Sequence, residues 1–315
     1  MSAGALPKGI VPVMQTPFDG QGRIDFEDLQ RLIDSAINGG ASGLLAAAVA
    51  SEVAHLSAQE RRDLIRFVAG ASRDRVPFIA GASSDEAAEC AEYAGLAARV
   101  GAAAYLVAIP DAFYRAPGKV PGFFKAIAAQ TDLPLIIQDL QWDGPGLGLA
   151  DLWILKDSIP TFAGVKIETV PAGPKYTQVR EEFGQEFYIC GGWAVPQMVE
   201  ALDRGVDAMI PEASMVRTYA AIYGAHVAGR REQAVAIFRE LLPVIAFTNQ
   251  EIRLSIAFFK RLLVRKGIFR SDAMRWPGFQ WDAYNLRIAD ELIDHYLLLE
   301  ERLRHADQSA GRHTR

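Results

Sequence analysis

Short apolar runs alternate with longer amphipathic runs eight times along residues 9–230, and few architectures accommodate that alternation. The candidate strands are Ile10–Gln15, Gly43–Ala48, Pro77–Gly81, Ala103–Ile109, Leu133–Asp139, Phe162–Glu168, Glu186–Gly191 and Asp207–Pro211. Each is nearly continuously apolar, as parallel strands covered on both faces are. Between them, residues such as Phe26, Leu29, Leu32, Ile33 and Ile37 follow a helical period. Ser57–Ala58–Gln59–Glu60 reads as a capping box opening the second helix, and Ser83–Ser84–Asp85–Glu86 as another opening the third. The third helix carries a stripe of alanines, which implies close packing. Further helices fit near 117–130, 149–157, 173–184, 194–204 and 215–228.

The pattern predicts an α/β chain folded as a (β/α)₈ TIM barrel. The competing architecture is an open doubly wound sheet, but no GxGxxG follows the first strand. After residue 230 the strands stop, and Ala234–Phe247, Ile252–Val264 and Ala289–Leu303 read as three helices. The division is a lead at 1–8, the barrel at 9–230, a C-terminal helical extension of the same domain at 231–305, and a polar, disordered tail at 306–315.

Composition narrows the function. At 315 residues and 50% hydrophobic, the chain can build one large core. The net charge of −5, without any basic run interleaved with aromatics, argues against nucleic acid as a partner. Small anionic substrates remain compatible, since local charge decides them. Cys90 and Cys190 form no CxxC pair, which suits a reducing, cytoplasmic compartment. Met1–Lys8 has no apolar signal core, and no run approaches a membrane span. The histidines, His55, His226, His295, His305 and His313, show no HExxH spacing, so no metal is expected.

In such barrels chemistry lies at the C-terminal ends of the strands. Lys166 stands near the end of the sixth. Side chains alternate along a strand, so Gly164, Lys166 and Glu168 share the inward face and Val165 and Ile167 the outward one. Gly164 then leaves space below the lysine. Burial disfavours an ammonium and frees a nucleophilic amine, whereas a nearby carboxylate favours the charged form. Such an amine can condense with a ketone to an iminium, an electron sink that weakens neighbouring bonds. Glu168 is a candidate proton donor and acceptor. A structural Lys166–Glu168 ion pair at the barrel mouth is the alternative that these residues leave open.

From Gly9 to Gly278 the chain resembles the dihydrodipicolinate synthase/N-acetylneuraminate lyase family of class I aldolases. The resemblance rests on Val13–Met14–Gln15–Thr16–Pro17–Phe18, Ser51–Glu52 with Leu56–Ser57, Phe124–Lys125–Ala126–Ile127–Ala128, Thr131–Asp132–Leu133–Pro134, Gly164–Val165–Lys166, Gly191, Lys260 and Arg275–Pro277. It implies that Lys166 is the Schiff-base residue. It also implies that backbone N–H groups at Val49 and Ala50 bind the substrate carboxylate, with Ser51, Gly191 and Met209 as further substrate contacts.

The departures are as informative. The family's Gly-Thr-Thr-Gly-Glu is here Ala48–Val49–Ala50–Ser51–Glu52, without the relay threonine. The relay tyrosine falls on Gln138, and a glutamine amide cannot shuttle protons as a phenol does. The tyrosine pair after strand four aligns with Asp111–Ala112, and Tyr114 replaces it only with a shift. No arginine follows within Leu140–Gln141–Trp142–Asp143–Gly144. The motifs are closer to the 2-keto-3-deoxy-L-arabonate dehydratase branch than to true dihydrodipicolinate synthase.

The resulting expectation is a lyase acting on a 2-oxo acid, a 2-keto-3-deoxy sugar acid dehydratase, with catalytic Lys166, Glu168 and Gln138. Alternatives are a pyruvate-dependent aldolase and a non-catalytic binding or regulatory homologue. No cofactor is expected. A homo-oligomer, tetrameric by family resemblance, is expected, with no membrane partner. Glu52 reads as a structural loop residue, Cys190 as core, His55 as surface, and Trp193 as pocket wall or packing. Glu212 and Ser214 read as contacts to a substrate tail or as a solvated loop.

Overall fold

A computed structural model of the chain describes residues 6–192 and 195–312. Eight parallel strands form its centre: β1 (Gly9–Ile10), β2 (Leu44–Ala46), β3 (Phe78–Gly81), β4 (Ala104–Ala108), β5 (Leu135–Leu140), β6 (Phe162–Glu168), β7 (Tyr188–Gly191) and β8 (Ala208–Met209). Each strand from β2 to β8 pairs with its successor, and β8 pairs with β1. Past the end of β1 the chain also meets β2: Leu45 N donates to Pro12 O at 2.9 Å and Met14 N to Leu45 O at 2.8 Å. Both sheet edges are thereby joined, so the sheet is the expected barrel and not the open alternative. The β1 ladder is shorter than Ile10–Gln15 because Pro12 has no N–H to contribute.

The helices are α1 (Phe26–Asn38), α2 (Ala58–Ser72), α3 (Ala87–Arg99), α4 (Val120–Ala128), α5 (Leu149–Ser158), α6 (Ala172–Phe183), α7 (Met198–Asp203) and α8 (Val216–Val227), with α9 (Arg231–Thr248), α10 (Ile252–Arg265) and α11 (Ala283–Arg312) following the barrel. The capping box of α2 is present: Ser57 N donates to Glu60 Oε2 at 2.8 Å and Glu60 N to Ser57 Oγ at 3.2 Å. The one expected at α3 is not. Ser83 Oγ instead accepts Ala108 N of β4 at 2.9 Å, and the helix begins after Glu86. A tertiary partner took the hydroxyl that the local motif would have used. The last helix continues through Arg312, into the stretch expected to be a disordered tail.

Period-2 alternation sorts the strand side chains into two apolar layers. Val11, Val13, Leu45, Ile79, Leu106, Ile136, Tyr188, Cys190 and Ile210 fill the barrel interior. Ile137, Val165, Ile167 and Ile189 pack outward, in a shell that continues without a break into Leu241, Val244, Phe258 and Leu262 of α9 and α10. Gly164 does not leave a void: a Cβ there would lie 2.2 Å from Tyr188 O and 2.6 Å from Tyr188 Cβ. The missing side chain admits the neighbouring strand, whose Tyr188 hydroxyl donates to Pro7 O at 2.8 Å.

Candidate active site

A cavity opens where the strands end. Inward side chains of β5 and β6 form one polar part of its wall. Lys166 Nζ lies 2.9 Å from Glu168 Oε1, and both side chains are buried. Gln138 Nε2 donates to Glu168 Oε2 at 2.5 Å. The register that pairs Gln138 with Lys166 across β5 and β6 produces this trio. Above it, a Cβ on Gly192 would lie 2.2 Å from Glu168 Oε1 and 2.6 Å from Lys166 Cε, so only glycine leaves room for the pair.

Lys166, Lys175 and Lys260 are all buried, but only Lys166 lines the cavity. Lys175 is turned to the other face, where its amine contacts Asp139 and donates to Pro145 O at 2.7 Å. Asp139 also accepts the Tyr114 hydroxyl at 2.9 Å. Tyr114 is therefore engaged beside the cavity's outer wall and does not line the cavity.

The loop after β2 supplies Ala48, Val49 and Ala50 to the cavity wall. Val49–Ser51 is a 3₁₀ turn, and the first amides of such a turn have no partner within it. The loop is tightly bent: Ala47 has φ 62°, and a Cβ on Gly81 would meet Ala47 O at 2.1 Å. Ser51, expected among the substrate contacts, is not part of the lining. Its hydroxyl donates to Met14 O at 2.7 Å, and its O accepts Thr16 Oγ1 at 2.7 Å.

Met209 and Gly191 also fall outside the lining. Met209 packs in the outer shell, and the Gly191 Cα faces Tyr176 and Met209. Inward positions alternate with these, so Ile210 lines the cavity and Gly192 borders the Lys166–Glu168 pair. A displacement of one residue along a strand exchanges core face for outer face. Cys190 is core as expected; burial raises its thiol well above the ordinary range. Trp193 lies outside the described residues.

Glu52 is structural as expected, at a site that ties three segments together. It adopts φ 56° and is fully buried. Its carboxylate contacts the Lys260 amine and accepts Arg275 N at 2.7 Å and Trp276 N at 3.0 Å. Lys260 also donates to Ala273 O at 2.7 Å and sits 4.3 Å above the Phe18 ring. Burial pushes the Lys260 amine down from 10.5 to about 8 despite its partner. This cluster anchors α10, whose Ile252, Ser255, Ile256 and Phe259 complete the cavity wall. The His55 ring lies 5.0 Å from the Trp276 ring and is tilted against it.

Glu212 is not on a solvated loop. It is buried in the cavity lining, accepts Gln15 Nε2 at 2.8 Å, and caps the start of α8 by accepting Ser214 N at 2.5 Å and Met215 N at 3.2 Å. Burial raises its carboxyl above the usual range. Ser214 does not line this cavity. Gln15 escaped the sequence reading although Val11, Val13 and Gln15 alternate on one face. The α10 wall carried no comparable signal, because its approach to the barrel depends on long-range packing. Among the described residues no cluster of three or more His, Cys, Asp or Glu side chains is placed to hold a metal ion.

Fold and cavity define a (β/α)₈-barrel protein with a buried amine–carboxylate pair at the C-terminal mouth of its strands. The chain belongs to the dihydrodipicolinate synthetase family, whose model matches residues 6–289. It is 27% identical over 271 residues to a 4-hydroxy-tetrahydrodipicolinate synthase from Pseudomonas putida (strain W619), covering 82% of this chain and 90% of the relative. It is 27% identical over 285 residues to the L-2-keto-3-deoxyarabonate dehydratase of Azospirillum brasilense, covering 88% and 91%. The fold superposes on the Ruminococcus gnavus sialic acid aldolase with a TM-score of 0.86 at 20% identity, covering 94% of this chain and 99% of that one. The family is one of lyases and aldolases.

Proposed function

We propose that this chain is a lyase that forms a Schiff base between Lys166 and a 2-oxo acid. The observation that carries the reading is the Lys166 amine in the cavity, 2.9 Å from the Glu168 carboxylate. At that distance a proton passes directly from Nζ to Glu168 as the amine attacks the ketone. Glu168 returns that proton to the carbinol oxygen, which leaves as water and gives the iminium. Glu168 then removes a C3 proton, and the electron pair moves into the iminium to give an enamine. If a hydroxyl at C4 leaves, it takes that proton back from Glu168 and departs as water; hydrolysis of the imine returns the amine. Gln138 fixes the Glu168 carboxylate through its amide N–H and can orient the departing hydroxyl. In this reading the N–H groups of Val49 and Ala50 receive the substrate carboxylate.

The dehydratase form of this chemistry, on a 2-keto-3-deoxy acid, is supported by the Azospirillum relative and by the absence of threonine and tyrosine from the cavity lining among the described residues. Cleavage between C3 and C4, releasing pyruvate, uses the same iminium and is the second reading, supported by the aldolase likeness in fold. We further infer a cytoplasmic homo-oligomer, tetrameric by family resemblance, which sedimentation velocity tests.

The test is borohydride reduction in the presence of pyruvate, followed by peptide mapping. An adduct on Lys166 that is lost in Lys166→Ala is the expected result. Turnover of an accepted substrate by Lys166→Ala would refute the mechanism and favour a different role for the barrel. With a turned-over substrate, a product of unchanged carbon count identifies the dehydratase and free pyruvate the aldolase.

A further inference from the structure

The reacting trio occupies only one side of the cavity. The remainder is lined by Val49, Leu140 and Ile210 from the barrel and by Ile252, Ile256 and Phe259 from α10. Ile256 is 2% exposed, yet neither it nor Ile252 belongs to either packed apolar layer. Their apolar surface is presented to the cavity, not to the core.

Polar groups able to serve a second ligand segment are few. Among the described lining residues Lys166 is the only cation and Ser255 the only hydroxyl. Gln15 and Glu212 are bonded to each other at 2.8 Å, and the remaining acceptor positions of Glu212 take the Ser214 and Met215 amides. A polyhydroxylated tail entering here would exchange water for isoleucine and phenylalanine side chains and leave hydroxyls unpaired, which is costly. A second carboxylate would meet Glu168 and Glu212 with no free cation to offset them.

We infer that the substrate of this site carries an apolar group, aryl or branched alkyl, beyond C4, in place of the hydroxylated chain of a sugar acid. The inference rests on the Schiff-base reading: it keeps the 2-oxo acid head at Lys166 and changes the tail. α10 is then the specificity element, since the residues that select the tail come from the extension and not from the strands.

The experiment compares the efficiency of borohydride-trapped adduct formation on Lys166 for pyruvate, 2-oxo-4-phenylbutanoate and 2-keto-3-deoxyarabonate. Trapping requires binding and imine formation only, so the result does not depend on which bond later breaks. The aryl compound is expected to exceed the sugar acid by roughly tenfold or more. Equal trapping, or preference for the sugar acid, overturns the inference, while a pyruvate adduct on Lys166 leaves the Schiff-base reading standing. No Lys166 adduct with any of the three removes both. Ile256→Thr, still β-branched but one carbon shorter and outside both cores, is expected to narrow the aryl-to-sugar ratio about tenfold. The readout is that ratio, which a general loss of folding or of amine reactivity does not move; an unchanged ratio would show that α10 does not select the tail.

Discussion

Removing the Glu52 carboxylate, as in Glu52→Ala, tests how α10 is held over the cavity. Both Glu52 and Lys260 have side chains that are 0% exposed, so neither charge is relieved by water. In the intact protein the gap between 10.5 and about 8 means that burial already costs the Lys260 ammonium roughly 3 kcal/mol after pairing. Without Glu52 the amine goes neutral at pH 7, which caps that cost near about 5 kcal/mol and adds only about 1–2. The orphaned Arg275 and Trp276 amides add about 1–3 kcal/mol each where water does not reach them. The sum is a loss of about 3–8 kcal/mol, a large share of an ordinary folding free energy.

The same numbers fix a pH dependence. Folded Lys260 releases its proton near 8 and unfolded lysine near 10.5, so between these values the unfolded chain holds more protons. Stability therefore rises with pH across that window, by roughly 3 kcal/mol in total, from this residue. Urea unfolding at several pH values, for the intact protein and for Lys260→Met, isolates the contribution as a difference in which the tyrosines cancel. A flat difference between pH 8 and 10.5, or a loss below about 1 kcal/mol for Glu52→Ala, would refute the account, since breaking a buried pair costs about 3–5 kcal/mol.

Other expectations follow from the site geometry. Glu168→Gln should lower kcat by about 10²–10⁴-fold, measured as substrate loss, because the group that moves the C3 proton is gone. Gly192→Ala should slow Lys166 trapping by on the order of a hundredfold with unchanged circular dichroism, because its Cβ would displace the pair by about an ångström. Tyr114→Phe should cost about 1 kcal/mol of stability in urea and leave trapping within about twofold, because its hydroxyl is spent on Asp139; a loss of trapping would instead give Tyr114 a role in the reaction.

The barrel and the inward face of Lys166 were legible in the sequence because both depend on local periods. Continuous apolar runs separated by helical stripes specify covered parallel strands, and a period of two places Lys166 and Glu168 on the face opposite Val165 and Ile167. The same rule places Gln15 inward with Val11 and Val13, and would have placed Ile210 inward and Met209 outward had the eighth strand been anchored to the correct residue; within a continuously apolar run nothing marks the register. The resemblance to the family extended this reading to Val49 and Ala50, but it also suggested Ser51, whose hydroxyl the fold uses to pin the loop to Met14 O.

Tertiary structure alone decided the rest. No spacing joins Glu52 to Lys260, 208 positions apart, or brings Ile256 to a cavity whose lysine is at 166. Nor does any local signal show that Ser83 will abandon its helix for Ala108 of the next strand. Periodicity assigns each side chain a face, because it follows from backbone geometry within a few residues. Which distant group meets that face depends on how whole elements pack, and here that packing determines the wall that would choose the substrate.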